Sequence, residues 1–379
     1  MKKVFAFLMV VVMVAAMFAG CANPAGKSGT IKVGTSGPLT GAYAVYGVAV
    51  ANGLKLAFEE INAMGGLQFE VMAQDDEAGA DTAVNAYNAL MDWGMQIMAG
   101  PTTSGSAAAV AAECVNDKVF MLTPSASDPS VIAAGDNIFQ VCFSDTNQGK
   151  ASADYIFENK VATNVGVIYD SSSSYSTGIY STFQAQADVL GLTVGAVEAF
   201  TADNAADLTT QVTKCKEAGC DMIFLPLYTA ENARVISCAD KIGYDVKFFG
   251  CDGMDGVLDV EGFDKALAEG VMLLTPFDAT ATDDKTQNFV KNYTEKFQVA
   301  PNQFAADAYD AGYAIYEACK AMNITSNMDA ADICAKMVEY FTTKSFDGLT
   351  GKGMTWGTDG AVSKYPMAVI IKDGVYVTP

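Results

Sequence analysis

The chain of 379 residues contains no histidine. Without an imidazole it has no side chain whose ordinary pKa falls near neutrality, no ready general base for a serine or cysteine nucleophile, and no histidine for a zinc site. Positive charge is scarce as well: 23 Lys and Arg stand against 44 Asp and Glu, for a net charge of −21. So acidic a surface repels nucleic acid and anionic lipid, which excludes both as partners recruited by charge. Short tandem repeats and long low-complexity segments are missing, and beyond the first twenty residues so is any apolar run of membrane-spanning length.

The N-terminus is where apolar residues do concentrate. Lys2 and Lys3 precede an apolar run over 4–18, and Ala19-Gly20-Cys21 follows it. This is the pattern of a signal peptide, and the run is shorter than the roughly 20 residues that span a bilayer. Small residues directly before a cysteine resemble a bacterial lipobox, so residues 1–20 are expected to be removed and Cys21 to become the diacylated N-terminus. Residues 21–30, rich in Gly, Ser, Asn and Pro, then read as a tether. The expected location is extracytoplasmic, lipid-anchored at the cell surface or in the periplasm. The alternative is an ordinary signal peptide with an incidental cysteine. The other eight cysteines are spread thinly through helical and strand-like stretches, which predicts mostly free, buried thiols over a disulfide framework. The spacing of Cys215 and Cys220 does not suit zinc, and neither a metal nor an organic cofactor is expected.

About 350 residues remain, more than one hydrophobic core usually serves, so two domains are expected. Strand-like runs over 31–35, 69–73, 97–99, 119–122 and 138–141 alternate with helical patterns over 48–64, 81–91 and 104–116. A second series places strands over 164–169, 192–199, 222–225 and 246–249, with helices over 149–159, 177–191, 205–218 and 230–242. Strand followed by helix, repeated, predicts an α/β protein of two doubly wound parallel-sheet lobes. Three further helical stretches over 285–297, 303–322 and 329–341 break the rhythm before a strand-like tail. The expected division gives lobe 1 residues 31–146 and 276–350, and lobe 2 residues 147–275 and 351–379. About three crossing segments then form the hinge of a closing cleft.

The motif Gly100-Pro101-Thr102-Thr103-Ser104-Gly105-Ser106 runs from a strand into an alanine-rich helix. It puts Ser104 at a helix N-terminus, where unpaired N–H groups and the positive dipole end favour a carboxylate or phosphate; otherwise Ser104 simply caps its own helix. A second hydroxyl loop, Thr123-Pro124-Ser125-Ala126-Ser127-Asp128-Pro129, follows the next strand. Loops beyond the carboxyl ends of neighbouring strands line the crevice of an open α/β sheet, so the two loops can converge on one anion. The alternative for this loop is a proline-bracketed turn closed by its own side chains. In the second series Asp252 lies between glycines at a strand end, as a carboxylate for an ammonium group or as a plain turn residue. Tyr43, Tyr46, Tyr175 and Tyr228 each follow a strand and offer a ring face and a hydroxyl.

These blocks carry a resemblance. With Gly37-Pro38-Leu39-Thr40-Gly41, Glu59-Glu60-Ile61-Asn62, Tyr169-Asp170, Phe224-Leu225-Pro226 and Ala308-Tyr309-Asp310-Ala311, the chain resembles the branched-chain amino acid binding proteins, the Leu/Ile/Val type of periplasmic binding protein with fold type I, over nearly its whole mature length. The resemblance implies that Ser104 and Ser127 hold a ligand carboxylate. The Ser125 carbonyl, Ser127 hydroxyl and Asp252 would take its ammonium, and Tyr46, Tyr175 and Tyr228 would line the side-chain pocket. It further implies a monomer that serves the permease subunits of an ABC importer. The sequence departs from the family at Asp252, where relatives can carry Glu, at Met254, where they often carry Trp, and at Gly105, where some have a hydroxyl. Relatives also bind amides, urea and aromatic acids, and a receptor that senses without transport would use the same fold. Catalysis is disfavoured by the missing histidine and by the expected placement of Ser104 and Asp252 in different lobes.

Overall fold

The computed structural model describes residues 29–379; the leader, Cys21 and most of the tether lie outside them. The first series is β1 (Ile31–Gly37), α1 (Ala44–Ala63), β2 (Phe69–Asp75), α2 (Ala80–Trp93), β3 (Ile97–Met98), α3 (Ser104–Asp117), β4 (Phe120–Thr123), α4 (Pro129–Ile132) and β5 (Ile138–Gln140). The second is α5 (Asp145–Glu158), β6 (Val165–Asp170), α6 (Ser174–Leu190), β7 (Val194–Phe200), α7 (Thr209–Glu217), β8 (Met222–Leu225), α8 (Thr229–Lys241), β9 (Lys247–Gly250) and β10 (Met272–Thr275). After these come α9 (Asp284–Phe297), α10 (Gln303–Ala321), α11 (Ala330–Phe341), β11 (Ser345–Phe346), β12 (Met354–Thr355), β13 (Met367–Lys372) and β14 (Val375–Val377).

Two sheets result. A five-stranded sheet in the order β2-β1-β3-β4-β5 is parallel throughout. A seven-stranded sheet runs β14-β13-β10-β9-β8-β6-β7, parallel from β10 to β7 and antiparallel where β13 joins β10 and β14. Strands such as β4 and β8 are buried along their whole length, because helices cover both faces and every side chain must be apolar or paired. In each sheet the strand order reverses once, one strand in from an edge, which places the switch points between β1 and β3 and between β6 and β8. The loops beyond those strand ends form the crevice of each lobe.

Helices α9, α10 and α11 return to the first lobe, where Phe289, Phe304 and Phe341 share one core with Val33, Leu54 and Phe120. Gly53 of α1 lets α10 approach so closely that a Cβ there would strike the Ala305 carbonyl. The expected boundary at residue 351 is corrected. Met354, Trp356 and Val362 pack into the first lobe's core, the Trp356 indole donates to the Gln140 carbonyl at 2.7 Å, and Gln140 N–H donates to Gly360 at 3.2 Å. The segment 351–364 therefore closes the β5 edge of lobe 1, and only the chain from β13 onward joins lobe 2. Lys364 ends this segment in a buried ion pair with Asp307, the two side chains 1% and 2% exposed. Among the described residues all eight cysteines are free and buried, and no helix is long and apolar enough to cross a membrane.

Candidate functional site

The lobe 1 wall is built by the two hydroxyl loops. Thr123 ties them together, its hydroxyl donating to the Pro101 carbonyl at 2.8 Å and accepting the Ala126 N–H at 2.9 Å. Ser104 is the first residue of α3, and the first intrahelical bond runs from Ala107 N–H to the Thr103 carbonyl. The amides of Ser104, Gly105 and Ser106 precede that bond and form the electropositive end of the helix. Ser104 does not cap its own helix: its hydroxyl accepts the Asp128 N–H of the second loop at 3.4 Å. Asp128 itself caps α4 through Ser130 N–H, which leaves Ser125 and Ser127 on the inner side of the turn.

The lobe 2 wall centres on Asp252, which opens a short 3₁₀ turn after β9 and is 3% exposed. Its Oδ1 accepts the Tyr175 hydroxyl at 2.7 Å and the Gly253 N–H at 2.7 Å. Its own N–H donates to Gln148 Oε1 at 3.0 Å, and its carbonyl accepts from Gln303 Nε2 at 3.3 Å. Burial pushes the carboxyl pKa up to about 6, against the opposing pull of the hydrogen bonds from Tyr175, Gly253 and Gln148.

Aromatic rings close the sides. Tyr175 and Tyr228 stack with centroids 4.8 Å apart and planes 5° from parallel, and Phe304 meets Tyr46 edge-on at 4.9 Å. Tyr46 does more than the lining expected of it. Carried by α1 of lobe 1, its hydroxyl donates to the Gly253 carbonyl at 2.6 Å and accepts Thr229 N–H at 2.7 Å, both in lobe 2. Nearby, the Tyr43 hydroxyl crosses the same gap to Glu231 Oε1 at 3.1 Å.

Tyr46, Ser104, Ser125, Ser127, Tyr175, Tyr228 and Asp252, all chosen from sequence, meet around one cavity with Thr102, Thr103, Gly253 and Phe304. It is nearly filled by its own lining, with about 10 Å³ of free volume. The lobes are thus closed on each other. No lysine or arginine lines the cavity, so an anion there can be met only by hydroxyls and amides. A wider hollow of about 700 Å³ lies beside Asp221, Tyr244 and Glu269; it contains none of these groups, so size does not mark the chemistry. Among the described residues no group of three or more acidic or thiol side chains is arranged to hold a metal.

Sequence reasoning passed over four lining residues. Thr102 and Thr103 belong to the quoted hydroxyl motif but were given no role, and Gly253 follows Asp252. Phe304 carries no local signal, because it reaches the cavity only through the return of α10 to lobe 1. The same holds for Gln303 and Gln148, which brace the Asp252 backbone from two different helices.

Known proteins share this fold. The sequence model of the family described as "Periplasmic binding protein" matches residues 30–374. Leu/Ile/Val-binding protein homolog 3 of Brucella melitensis is 30% identical over 66% of this chain and 68% of its own length. The Leu/Ile/Val-binding protein of Escherichia coli K12 is 24% identical over 89% of this chain and 90% of its own. Among solved structures, the branched-chain amino acid transporter substrate binding protein LivJ of Streptococcus pneumoniae, in complex with isoleucine, superposes with a TM-score of 0.82 at 28% identity, covering 93% of this chain and 100% of that one. The leucine binding protein LivK of Thermotoga maritima gives a TM-score of 0.82 at 25% identity, covering 92% and 98%. With nearly its whole described length matched in sequence and in fold, the chain belongs to the periplasmic binding protein family.

Proposed function

We propose that the mature chain is an extracytoplasmic lipoprotein that captures an α-amino acid, branched-chain or similar, between its lobes and delivers it to an ABC importer. One observation carries this reading: in a single buried cavity, a hydroxyl-rich helix end on one lobe faces a carboxylate on the other. Ser104 and Ser127, with the α3 amides, receive the ligand carboxylate. The Ser125 carbonyl, the Ser127 hydroxyl and Asp252 receive its ammonium, in charge-assisted bonds worth roughly 1.5–3 kcal/mol each. Tyr46, Tyr175 and Tyr228 pack the side chain. The names of the Brucella and Escherichia relatives, and the isoleucine held by the Streptococcus structure, support the same ligand class.

The chain acts by binding and closure, as a monomer anchored through Cys21, and its other partners are the permease subunits that accept the closed form. The absence of histidine from the sequence leaves no imidazole to relay a proton, and the reading is accordingly one of binding without catalysis. A thermal-shift screen of the purified mature chain against amino acids, amides, urea and aromatic acids, followed by uptake assays in a deletion strain, tests the proposal. Stabilisation by branched-chain or similar amino acids and loss of their uptake is the expected result. Preference for an uncharged amide, urea or an aromatic acid overturns the ligand class, and intact uptake overturns the transport role.

A further inference from the structure

The end of α7 brings two cysteines face to face. Its last turn closes through a pair of reversed backbone bonds: Cys220 N–H donates to the Cys215 carbonyl at 3.1 Å, and Gly219 N–H to the Lys216 carbonyl at 3.0 Å. Gly219 takes the left-handed conformation, φ 68°, that this helix ending requires. The geometry sets the side chain at Cys215 against the one at Cys220, a contact usually made by two apolar groups. Here each partner carries a thiol. The α-carbons of a disulfide stand roughly 4.4–6.8 Å apart, a span that a direct backbone hydrogen bond between the two residues meets.

Room for the two sulfurs is made by Gly166 near the start of β6. A Cβ there would lie 2.8 Å from Cys215 Sγ and 3.3 Å from Cys220 Sγ, so both sulfurs occupy the one hollow that the missing side chain leaves. The turn is held on either side. Asn164 Nδ2 donates to the Ala218 and Gly219 carbonyls, each at 3.0 Å, and the Tyr244 hydroxyl to the Cys220 carbonyl at 2.5 Å. Lys216, Glu217, Ala218, Gly219 and Asp221 are exposed, whereas Cys215 and Cys220 are 0% and 4% exposed. The thiols therefore lie one layer beneath a surface turn, at the amino ends of β6 and β8 and away from the strand ends that carry the ligand cavity.

We propose that Cys215 and Cys220 form a disulfide, made by exchange with a disulfide-bearing oxidant outside the cytoplasm, and that it fastens the end of α7 to the start of β8. Cys220, the less deeply buried thiol, attacks one sulfur of the oxidant's disulfide as the thiolate, giving a mixed disulfide and freeing the first oxidant thiol. Cys215 then attacks the Cys220 sulfur, closing the new bond and expelling the second oxidant thiol. Two protein thiols are oxidised, one oxidant disulfide is reduced, and the two protons pass to the departing thiolates. Burial raises both thiols above the ordinary cysteine range, Cys215 up to about 12. Exchange therefore proceeds while the last turn of α7 is open, and the closed turn shields the bond once it is made. The inference depends on the extracytoplasmic location for its oxidant, since disulfides persist there, and not on the ligand.

The test equilibrates the mature chain, with Cys21→Ser so that the other eight cysteines alone are counted, in mixtures of oxidised and reduced glutathione. Free thiols are then blocked and the chain is digested with trypsin. Cleavage after Lys214 and Lys216 separates the two cysteines, so a bond between them appears as residues 215–216 cross-linked to residues 217–234. The expected result is this cross-link, formed in one two-electron transition while the other six thiols stay free, with a melting temperature raised by about 2 °C or more. Cys215→Ser is expected to stop at a glutathione adduct on Cys220. Adducts that never close in the unsubstituted pair, thiols that remain free in oxidised glutathione, or pairing of either cysteine with another partner overturns the inference. A cross-link that leaves the melting temperature level or lower overturns the fastening role. Closure in glutathione, with both thiols free in chain isolated from the cell envelope under acid quench, defeats the extracytoplasmic oxidant, whereas failure to close in glutathione defeats the pair itself.

Discussion

The Tyr46 hydroxyl and the Gly253 carbonyl, 2.6 Å apart, join lobe 1 to lobe 2 directly behind the ligand cavity. The same oxygen accepts Thr229 N–H, so one side chain satisfies two buried backbone groups that only the closed arrangement brings together. Tyr46→Phe strands both. A buried group left unpaired costs roughly 1–3 kcal/mol, and here the closed state alone bears that cost. Ligand affinity should fall about tenfold or more, and small-angle scattering of the liganded variant should show a larger radius of gyration than liganded wild type. Equal affinity and equal dimensions would mean that Tyr46 only fills space.

The pH dependence follows from the buried carboxylates. Asp252 and Asp255 are each pushed up to about 6 by burial, above the ordinary 3.8, so the folded state binds their protons more tightly than the unfolded chain. Stability from such groups is fully present below the unfolded pKa and is lost as pH rises through about 6. For Asp252 alone the loss is about 3 kcal/mol, at roughly 1.4 kcal/mol per pKa unit. The unliganded protein should therefore melt higher at pH 5 than at pH 7. Amino acid affinity should run the other way, falling up to tenfold per unit below about pH 6, because Asp252 must ionise to meet an ammonium. Asp252→Ala should weaken binding by about 2 kcal/mol or more and flatten that profile. A flat wild-type profile between pH 5 and pH 7 contradicts this.

Lys364 and Asp307 form an ion pair closed off from solvent at the end of the 351–364 segment. Removing one partner leaves the other charge buried, which costs about 3–5 kcal/mol. Lys364→Met should lower unfolding stability by that order in chemical denaturation, and pairing it with Asp307→Leu should restore most of it. A single substitution as stable as wild type would show that water reaches the pair.

Anchoring is tested at Cys21. Cys21→Ser removes the thiol on which the lipid would be built, so the chain should move from the membrane fraction to the soluble extracytoplasmic fraction while its affinity stays unchanged. Membrane retention of the variant counts against the lipobox.

How much the sequence disclosed depended on whether a feature is local. β4 and β8 are continuous apolar runs because both faces are covered, and they were readable as such. Ser104 and Asp252 were readable because each follows a strand at a turn with a chemical signature. The segment 351–364 was not, since its place depends on Trp356 reaching Gln140, far away in the chain, and β11 and β12 are too short to show a period. Phe304 and Lys364 have the same cause: their surroundings are made by segments that meet only after the chain has crossed between lobes.

The central claim is that the cavity recognises two opposite poles of one molecule, and the most direct measurement removes one pole at a time. The tightest-binding amino acid of the screen, its primary amide and its hydroxy acid are titrated into the mature chain by calorimetry at pH 7.5. The expected result is tight binding of the amino acid and at least a hundredfold loss for each analogue. An amide or hydroxy acid that binds as tightly as the amino acid contradicts the claim.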